Sequence, residues 1–205
     1  MSIVKLNNRG VRSATAFGSI TGLGSMTFLS KQTASSSSTI SFTSGIDSTY
    51  KEYLFTFKNI HPSADSAEFA FQGDTGTNTS YNQSITSTFF HAAHRQDAAV
   101  TELLYDTGGD QANGTAFQLL AYNIDNGNDA NLSGYLHLFN PSSSTFVKNF
   151  LAVCNYTYDG DGDERYSYNT FVGGYFNTTT AITRLQYKFA SGNIDAGDIC
   201  LYGIK

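Results

Sequence analysis

Apolar and polar residues alternate along short segments between residues 39 and 205, and clusters of Gly, Asn, Asp and Ser separate these segments. A period of two places successive side chains on opposite faces of a strand, so each segment can bury one face and expose the other. Residues 97–105 fit either one short helix or a further strand. The pattern predicts an all-β fold, an antiparallel β-sandwich with jelly-roll-like connectivity. We place the strands near residues 39–43, 51–59, 67–73, 82–92, 116–124, 132–140, 146–158, 166–177, 182–190 and 197–204.

The beginning of the chain does not share this alternation. Residues 1–30 mix small residues and glycines with isolated hydrophobic residues, and no period holds for more than a few positions. Such a segment gains order by lying on another surface. Residues 33–38 fit a Ser-rich linker. We therefore predict an extended N-terminal arm with its linker at 1–38 and a sandwich domain at 39–205. The arm residues expected to bind a partner are Ile3, Val4, Leu6, Arg9, Arg12, Phe17, Ile20, Leu23 and Phe28.

Charge and hydropathy argue against two classes of partner, nucleic acids and membranes. The chain carries 17 acidic and 12 basic residues, a net charge of −5, without any Lys/Arg cluster, which argues against binding to a nucleic-acid backbone. The longest apolar runs are only a few residues, so we expect no membrane span, and no apolar stretch of a secretory signal follows the N-terminus. Cys154 and Cys200 are expected to be free thiols in a protein made in the cytoplasm.

Motifs of catalysis are missing from the sequence. There is no G-x-S-x-G elbow, no phosphate-binding G-x-x-x-x-G-K-[ST] loop and no H-E-x-x-H. His91 and His94 lie three positions apart in a segment that resembles a strand, where this spacing places them on opposite faces. A zinc site needs three or four ligands, and no other residue has a compatible spacing. We predict a protein without enzymatic activity and without a cofactor.

The densest acidic cluster is DGDGDE, from Asp159 to Glu164. Carboxylates at alternate positions can converge on Ca²⁺ when glycines let the backbone curl, which makes Asp159, Asp161 and Asp163 candidate ligands. The EF-hand pattern fails because its sixth position is Glu164 and its twelfth is Thr170. The alternative is a hairpin tip in which Asp-Gly steps supply positive φ. We favour the turn, since Asp-Gly steps serve so often as turns.

Four tyrosines flank this cluster on its two sides: Tyr156, Tyr158, Tyr166 and Tyr168. On one exposed face of a sheet they could stack on sugar rings, so Tyr156, Tyr158 and Tyr166 are candidate contacts to a glycan or receptor. The alternative is cross-strand aromatic pairing that holds the hairpin together. We favour the pairing, because much of a sheet's surface is apolar in any case.

Four longer segments stand out together: MSIVKLNNRGVRSATAFGSITGLGSM at 1–26, TYKEYLFTFKNIHPS at 49–63, LHLFNPSSSTFVKNF at 136–150, and GGYFNTTTAITRLQYKFASGNIDAGDICLYGI at 173–204. Together they resemble a family of virion structural proteins encoded by tailed phages of marine bacteria, especially cyanophages and their relatives. The similarity covers nearly the whole chain, including the arm. The segments are arm, strand and turn sequences, so they indicate ancestry rather than chemistry.

The resemblance implies a component of the bacteriophage virion, made in the host cytoplasm and without enzymatic activity. Its partners would be other virion proteins, either the major capsid protein or components of the neck or tail. It would also be a homo-oligomer, with a trimer as one arrangement. We expect a capsid decoration or accessory protein that is anchored to the particle through its N-terminal arm. The alternative is a receptor-binding module of a tail fibre or spike that binds a host glycan.

Overall fold

The computed structural model describes residues 26–159 and 165–205. Within these ranges the chain forms twelve strands and no helix, and every pair of neighbouring strands is antiparallel. The strands are β1 (Met26–Thr33), β2 (Ile40–Phe42), β3 (Glu52–Pro62), β4 (Ala67–Thr75), β5 (Ile85–Arg95), β6 (Thr101–Tyr105), β7 (Gln118–Ile124), β8 (Leu132–Phe139), β9 (Lys148–Asp159), β10 (Arg165–Phe176), β11 (Ile182–Phe189) and β12 (Ile194–Ile204).

Hydrogen bonding arranges the strands in two sheets. The large sheet has the order β1-β12-β3-β8-β9-β10-β5-β6, and the small sheet has the order β2-β11-β4-β7. A single pair, Ile124 with Tyr158, joins β7 to β9 along one side. Without the inserted hairpins β5-β6 and β9-β10, the two sets β1-β12-β3-β8 and β2-β11-β4-β7 have the strand order of a jelly roll. The predicted all-β, jelly-roll-like sandwich is therefore confirmed.

An aromatic core lies between the two sheets. Phe55 and Phe57 alternate with polar residues on β3 of the large sheet, and both are buried. Their rings meet the small sheet, with ring centroids 5.5 Å apart for Phe57 and Phe69 and 5.7 Å apart for Phe55 and Tyr187. Each fully buried aromatic side chain stabilises the fold by roughly 1.5–3 kcal/mol. The core therefore fixes which face of the large sheet points inward and which points outward.

All ten predicted strands are present, with ends that differ by a few residues. Residues 101–105 form a strand rather than a helix, because each of them pairs with β5. The beginning of the described chain differs from the prediction. Met26–Thr33, expected as arm and linker, is the edge strand β1 and pairs with β12. The Ser-rich segment is likewise attached to β12, since the N–H of Ala34 donates to the carbonyl oxygen of Gly197 at 2.8 Å and Ser37 bridges to Ile194.

Candidate functional site

The predicted partner-binding residues of the arm fall almost entirely outside the described residues. Phe28 is the exception: it lies on the edge strand β1, is 57% exposed, and its ring makes an edge-to-face contact with Tyr202 at 5.6 Å between centroids. It therefore belongs to the sandwich rather than to a separate arm. The predicted contacts outside the described residues are Ile3, Val4, Leu6, Arg9, Arg12, Phe17, Ile20 and Leu23.

The acidic cluster connects β9 to β10. Asp159 is the last residue of β9 and pairs across the hairpin with Arg165, whereas Asp161 and Asp163 lie outside the described residues. The calcium site predicted there therefore remains a prediction. Among the described residues, no group of three or more His, Cys, Asp or Glu side chains is arranged to hold a metal ion.

The tyrosines beside this cluster form cross-strand pairs. Tyr156 lies directly opposite Tyr168, and Tyr158 lies opposite Tyr166, with ring centroids 5.7 Å and 5.4 Å apart. Tyr156 is only 2% exposed, and burial raises the pKa of its phenol well above the usual value. It cannot stack on a sugar, so the predicted glycan contact is wrong at this residue. Tyr158 and Tyr166 are half-buried. Cross-strand aromatic pairing therefore describes these tyrosines better than contact with a glycan does.

A buried polar network adjoins these tyrosines. His91 is 1% exposed, and its Nδ1 lies 2.9 Å from the hydroxyl oxygen of Tyr122 while its Nε2 lies 3.1 Å from Oε1 of Glu102. Burial, with smaller contributions from neighbouring charges, raises the pKa of Tyr122, so its phenol stays protonated. His94 is exposed on the opposite face of β5, as the spacing of three predicts. The network joins β6 and β7 to β5 and serves the fold.

Both cysteines are free, and they lie on different strands of the large sheet. Cys154 is buried on the inner face of β9, where burial raises the pKa of its thiol. Cys200 is half-buried on β12. A buried thiol with a raised pKa is a poor nucleophile, because the thiolate is the reactive form. Cys154 therefore acts as a small apolar core residue.

An apolar row crosses the outer face of the large sheet. Tyr135, Val153, Phe171, Phe90 and Tyr105 pair in succession across β8, β9, β10, β5 and β6, so their side chains form one continuous line on that face. The rings of Phe90 and Phe171 stack at 5.0 Å between centroids and are nearly parallel. Phe90, Tyr105 and Tyr135 are exposed even though they are large and apolar. The face that should be polar in a solvated sheet is apolar here.

A second row adjoins the first. It runs from His137 through Leu151 and Gly173 to Thr88. Leu151 is 54% exposed, and Leu103 on β6, next to the first row, is 74% exposed. We call this surface the outer apolar face and define it by Phe90, Leu103, Tyr105, Tyr135, His137, Leu151, Val153, Phe171 and Gly173.

Between the two rows lies an open groove of about 360 Å³. Its lining contains no Lys, Arg, Asp or Glu side chain. Exposed apolar patches on soluble proteins rarely exceed a few hundred Å², and larger ones mark contacts with other molecules. The outer apolar face therefore has the chemistry of a contact surface, and the polar side-chain groups of its groove lining are the imidazole of His137 and the hydroxyl groups of Thr88 and Tyr135.

Sequence reasoning missed this surface. A period-two pattern identifies the residues of a strand that face the core, and it predicts polar residues on the outward side. The signal was present where both phases are apolar, as in FLAV at 150–153 and FF at 89–90. Such segments indicate a strand that is apolar on both faces.

A polar groove of about 420 Å³ lies near the β9-β10 hairpin. Among its lining residues are His94, Asn155 and Tyr166. Arg165 also lines it, and its guanidinium donates to Oδ2 of Asp129 at 2.7 Å. The ring of Tyr166 packs on the rings of Tyr158 and Tyr168, on the other face of β10 from His94 and Asn155. The groove therefore offers amide, imidazole and carboxylate groups, which can hydrogen-bond the hydroxyl groups of a sugar.

The part of the chain that the structure describes includes no helix long and apolar enough to cross a membrane. Comparison of the chain with family models, with curated proteins and with solved structures gives no significant match in any of the three.

Proposed function

We propose that this chain is a non-enzymatic structural protein of a phage virion, a capsid decoration or accessory protein anchored through its N-terminal arm. The observation that carries the proposal is the outer apolar face, which spans five strands of the large sheet without a charged residue in its groove. A protein that assembles with others needs such a contact surface, whereas an enzyme needs converging polar groups. The resemblance of the arm, strand and turn segments to virion structural proteins supports the same role.

The charge distribution supports anchoring through the arm. Residues 1–25 contain Lys5, Arg9 and Arg12 and no acidic residue, so all 17 acidic residues lie in the rest of the chain with only nine of the basic ones. A basic and apolar segment attached to an acidic domain is suited to an acidic neighbour. Burial of several apolar side chains, at roughly 1.5–3 kcal/mol each, can offset the cost of ordering the segment.

The test is deletion of residues 2–25 in the phage that encodes the protein, followed by quantitative mass spectrometry of purified particles. The truncated chain should be lost from particles while its unfolding temperature in isolation stays near that of the full chain. A matched variant, Lys5→Gln with Arg9→Gln and Arg12→Gln, separates the charge of the arm from its apolar residues. Incorporation of the truncated chain at the normal copy number would refute anchoring through the arm.

The polar groove near the β9-β10 hairpin favours a second candidate, a tail-fibre or spike module that binds a host glycan. Under this alternative, Asn155→Ala and His94→Ala should each reduce adsorption of phage to host cells while the variant proteins still enter particles, since both side chains line the groove. Phe146→Ala, at an exposed apolar residue that does not line the groove, is the control. Unchanged adsorption with both groove variants would exclude this role.

A further inference from the structure

We propose that a second copy of this chain covers the outer apolar face, so that copies associate face to face through β8, β9, β10, β5 and β6. The contact deepens the assembly role proposed above by naming the partner and the surface. It is a property of the purified chain in solution, so its failure can be told apart from a failure to enter particles.

The area of the face suits a protein partner. The aromatic side chains of Phe90, Tyr105 and Tyr135 offer roughly 150–250 Å² each, and they are 38, 50 and 43% exposed. Together with Leu103 and Leu151 they present on the order of 500 Å² of apolar surface. An interface of standard size buries roughly 800 Å² per partner, a little over half of it apolar. The face therefore supplies the apolar share of one side of such an interface.

Charge favours a second copy as that partner. The chain carries a net charge of −5, so two copies repel each other wherever their acidic surfaces approach. The groove of the outer apolar face is lined only by uncharged residues and His137. His137 lies at the rim, with Nε2 3.6 Å from Oε2 of Glu52 of the same chain. Asp110, whose Oδ2 accepts a hydrogen bond from the hydroxyl of Tyr105, lies at another edge of the face. Two copies can therefore bring their groove residues together without bringing like charges into the centre of the contact.

The centre of the face combines a large side chain with a position that has none. Leu151 is 54% exposed, and its partner in the second row is Gly173. A Cβ built at Gly173 would lie 3.2 Å from Cδ2 of Leu151 and 3.7 Å from Oγ1 of Thr88, with no other atom beyond its own neighbours in the chain within 4 Å. A protrusion and a hollow side by side on one surface can interlock reciprocally around a two-fold axis.

The test is the mass of the purified full chain by light scattering and sedimentation over a range of concentrations. We expect two copies for the wild type, because a reciprocal contact around a two-fold axis closes at two. Leu151→Glu should weaken the association by about a hundredfold, because it would replace an apolar side chain with a carboxylate that loses its water in the centre of the contact. Gly173→Val should weaken it comparably by filling the hollow, and it should leave the fold intact because Val suits a strand.

The matched control is Phe146→Glu, which introduces the same charge at a residue that is 67% exposed and lies outside the two rows. It should associate like the wild type, and circular dichroism should show all three variants folded. A single copy at every concentration, or an oligomer that Leu151→Glu and Gly173→Val leave unchanged, would overturn the proposal. An oligomer that requires residues 2–25 but tolerates both substitutions would also overturn it, since the arm would then join the copies.

Discussion

The two faces of β9 and β10 carry similar side chains in very different surroundings. On the inner face, Phe150 and Cys154 are buried against the small sheet, and on the outer face Leu151 and Val153 line an open groove. An antiparallel sheet with one solvated face normally alternates apolar and polar residues. Here both phases are apolar across the middle of the large sheet. The fold buries one apolar face, and the other stays exposed; this exposed face is the one that we propose a second copy covers.

The comparison teaches that apolar character and contribution to folding are separate properties in this chain. A side chain on the inner face touches partners from both sheets, so its removal leaves a cavity. A side chain on the outer face of the isolated chain is half in water, and its removal leaves little behind. The adjacent residues of one strand therefore provide matched tests of this difference.

The largest expected difference in the free energy of unfolding is between the variants Phe150→Ala and Leu151→Ala. Phe150 is 1% exposed, and its ring lies 5.0 Å from that of Phe71 and 5.7 Å from that of Phe176. Its truncation should lower the free energy of unfolding by about 3–5 kcal/mol, because the cavity cannot close. Truncation of Leu151 should change it by about 0.5 kcal/mol or less. The measurement is urea denaturation at a concentration that keeps the chain monomeric. Equal losses for the two variants would contradict the distinction between the faces.

A smaller difference in stability is expected between alanine variants of Gly173 and Gly174, the adjacent glycines of β10. A Cβ at Gly174 would lie 2.7 Å from the backbone carbonyl oxygen of Thr86 and 2.7 Å from Cζ of Phe150, whereas Gly173 faces the groove. Gly174→Ala should therefore cost about 1–3 kcal/mol through overpacking. Gly173→Ala should be neutral or stabilise by up to about 1 kcal/mol, since it restricts the unfolded chain. Thermal unfolding of both variants measures this, and a Gly174→Ala protein as stable as Gly173→Ala would be incompatible with the packing described.

The sequence predicts the strands well where one face is buried, because burial imposes the period of two. It does not predict β1, for two physical reasons. None of the residues of Met26–Thr33 is fully buried, so folding does not require an apolar residue at every second position. In addition, a shift in the pairing register between Phe28 and Ser30 interrupts the alternation. Edge strands of this kind are held by backbone pairing with β12, which leaves little trace in the side chains.

Some contacts of the candidate sites can be predicted from the sequence, and others cannot. The sequence predicts the pairing of Tyr156 with Tyr168, because the tyrosines alternate with polar residues on both sides of the acidic cluster. It does not predict the contact of His91 with Glu102, because that contact depends on the register that the connection between β5 and β6 sets. The outer apolar face depends on how five strands order themselves in the sheet. Strand order is a property of the whole fold and cannot be obtained from the period of one segment.

The smallest expected effect is a difference in the pH dependence of Tm between the two ends of the outer face of the large sheet. At the β1-β12 end the face carries a polar cluster beside Phe28: Oγ1 of Thr33 donates to Oδ1 of Asp198 at 2.6 Å, and Nζ of Lys31 lies 3.4 Å from its Oδ2. The hydrogen bond from Thr33, and then the one from Lys31, lower the pKa of Asp198 below its usual value. A lowered pKa in the folded state means that the carboxylate stabilises the fold above about pH 4, and that this contribution disappears as the pH falls through the folded-state pKa.

Asp198→Asn should therefore cause a small drop in Tm at pH 7, and the difference from the wild type should shrink as the pH is lowered toward 2.5. Differential scanning calorimetry at several pH values measures both. Added salt should remove the part that comes from Lys31 and leave the part that comes from Thr33. The apolar end should behave differently: Leu151→Ala should show the same Tm difference at every pH, because no titrating group is removed. A pH-independent Tm difference for Asp198→Asn would mean that the charge of Asp198 does not hold β1 on the sheet.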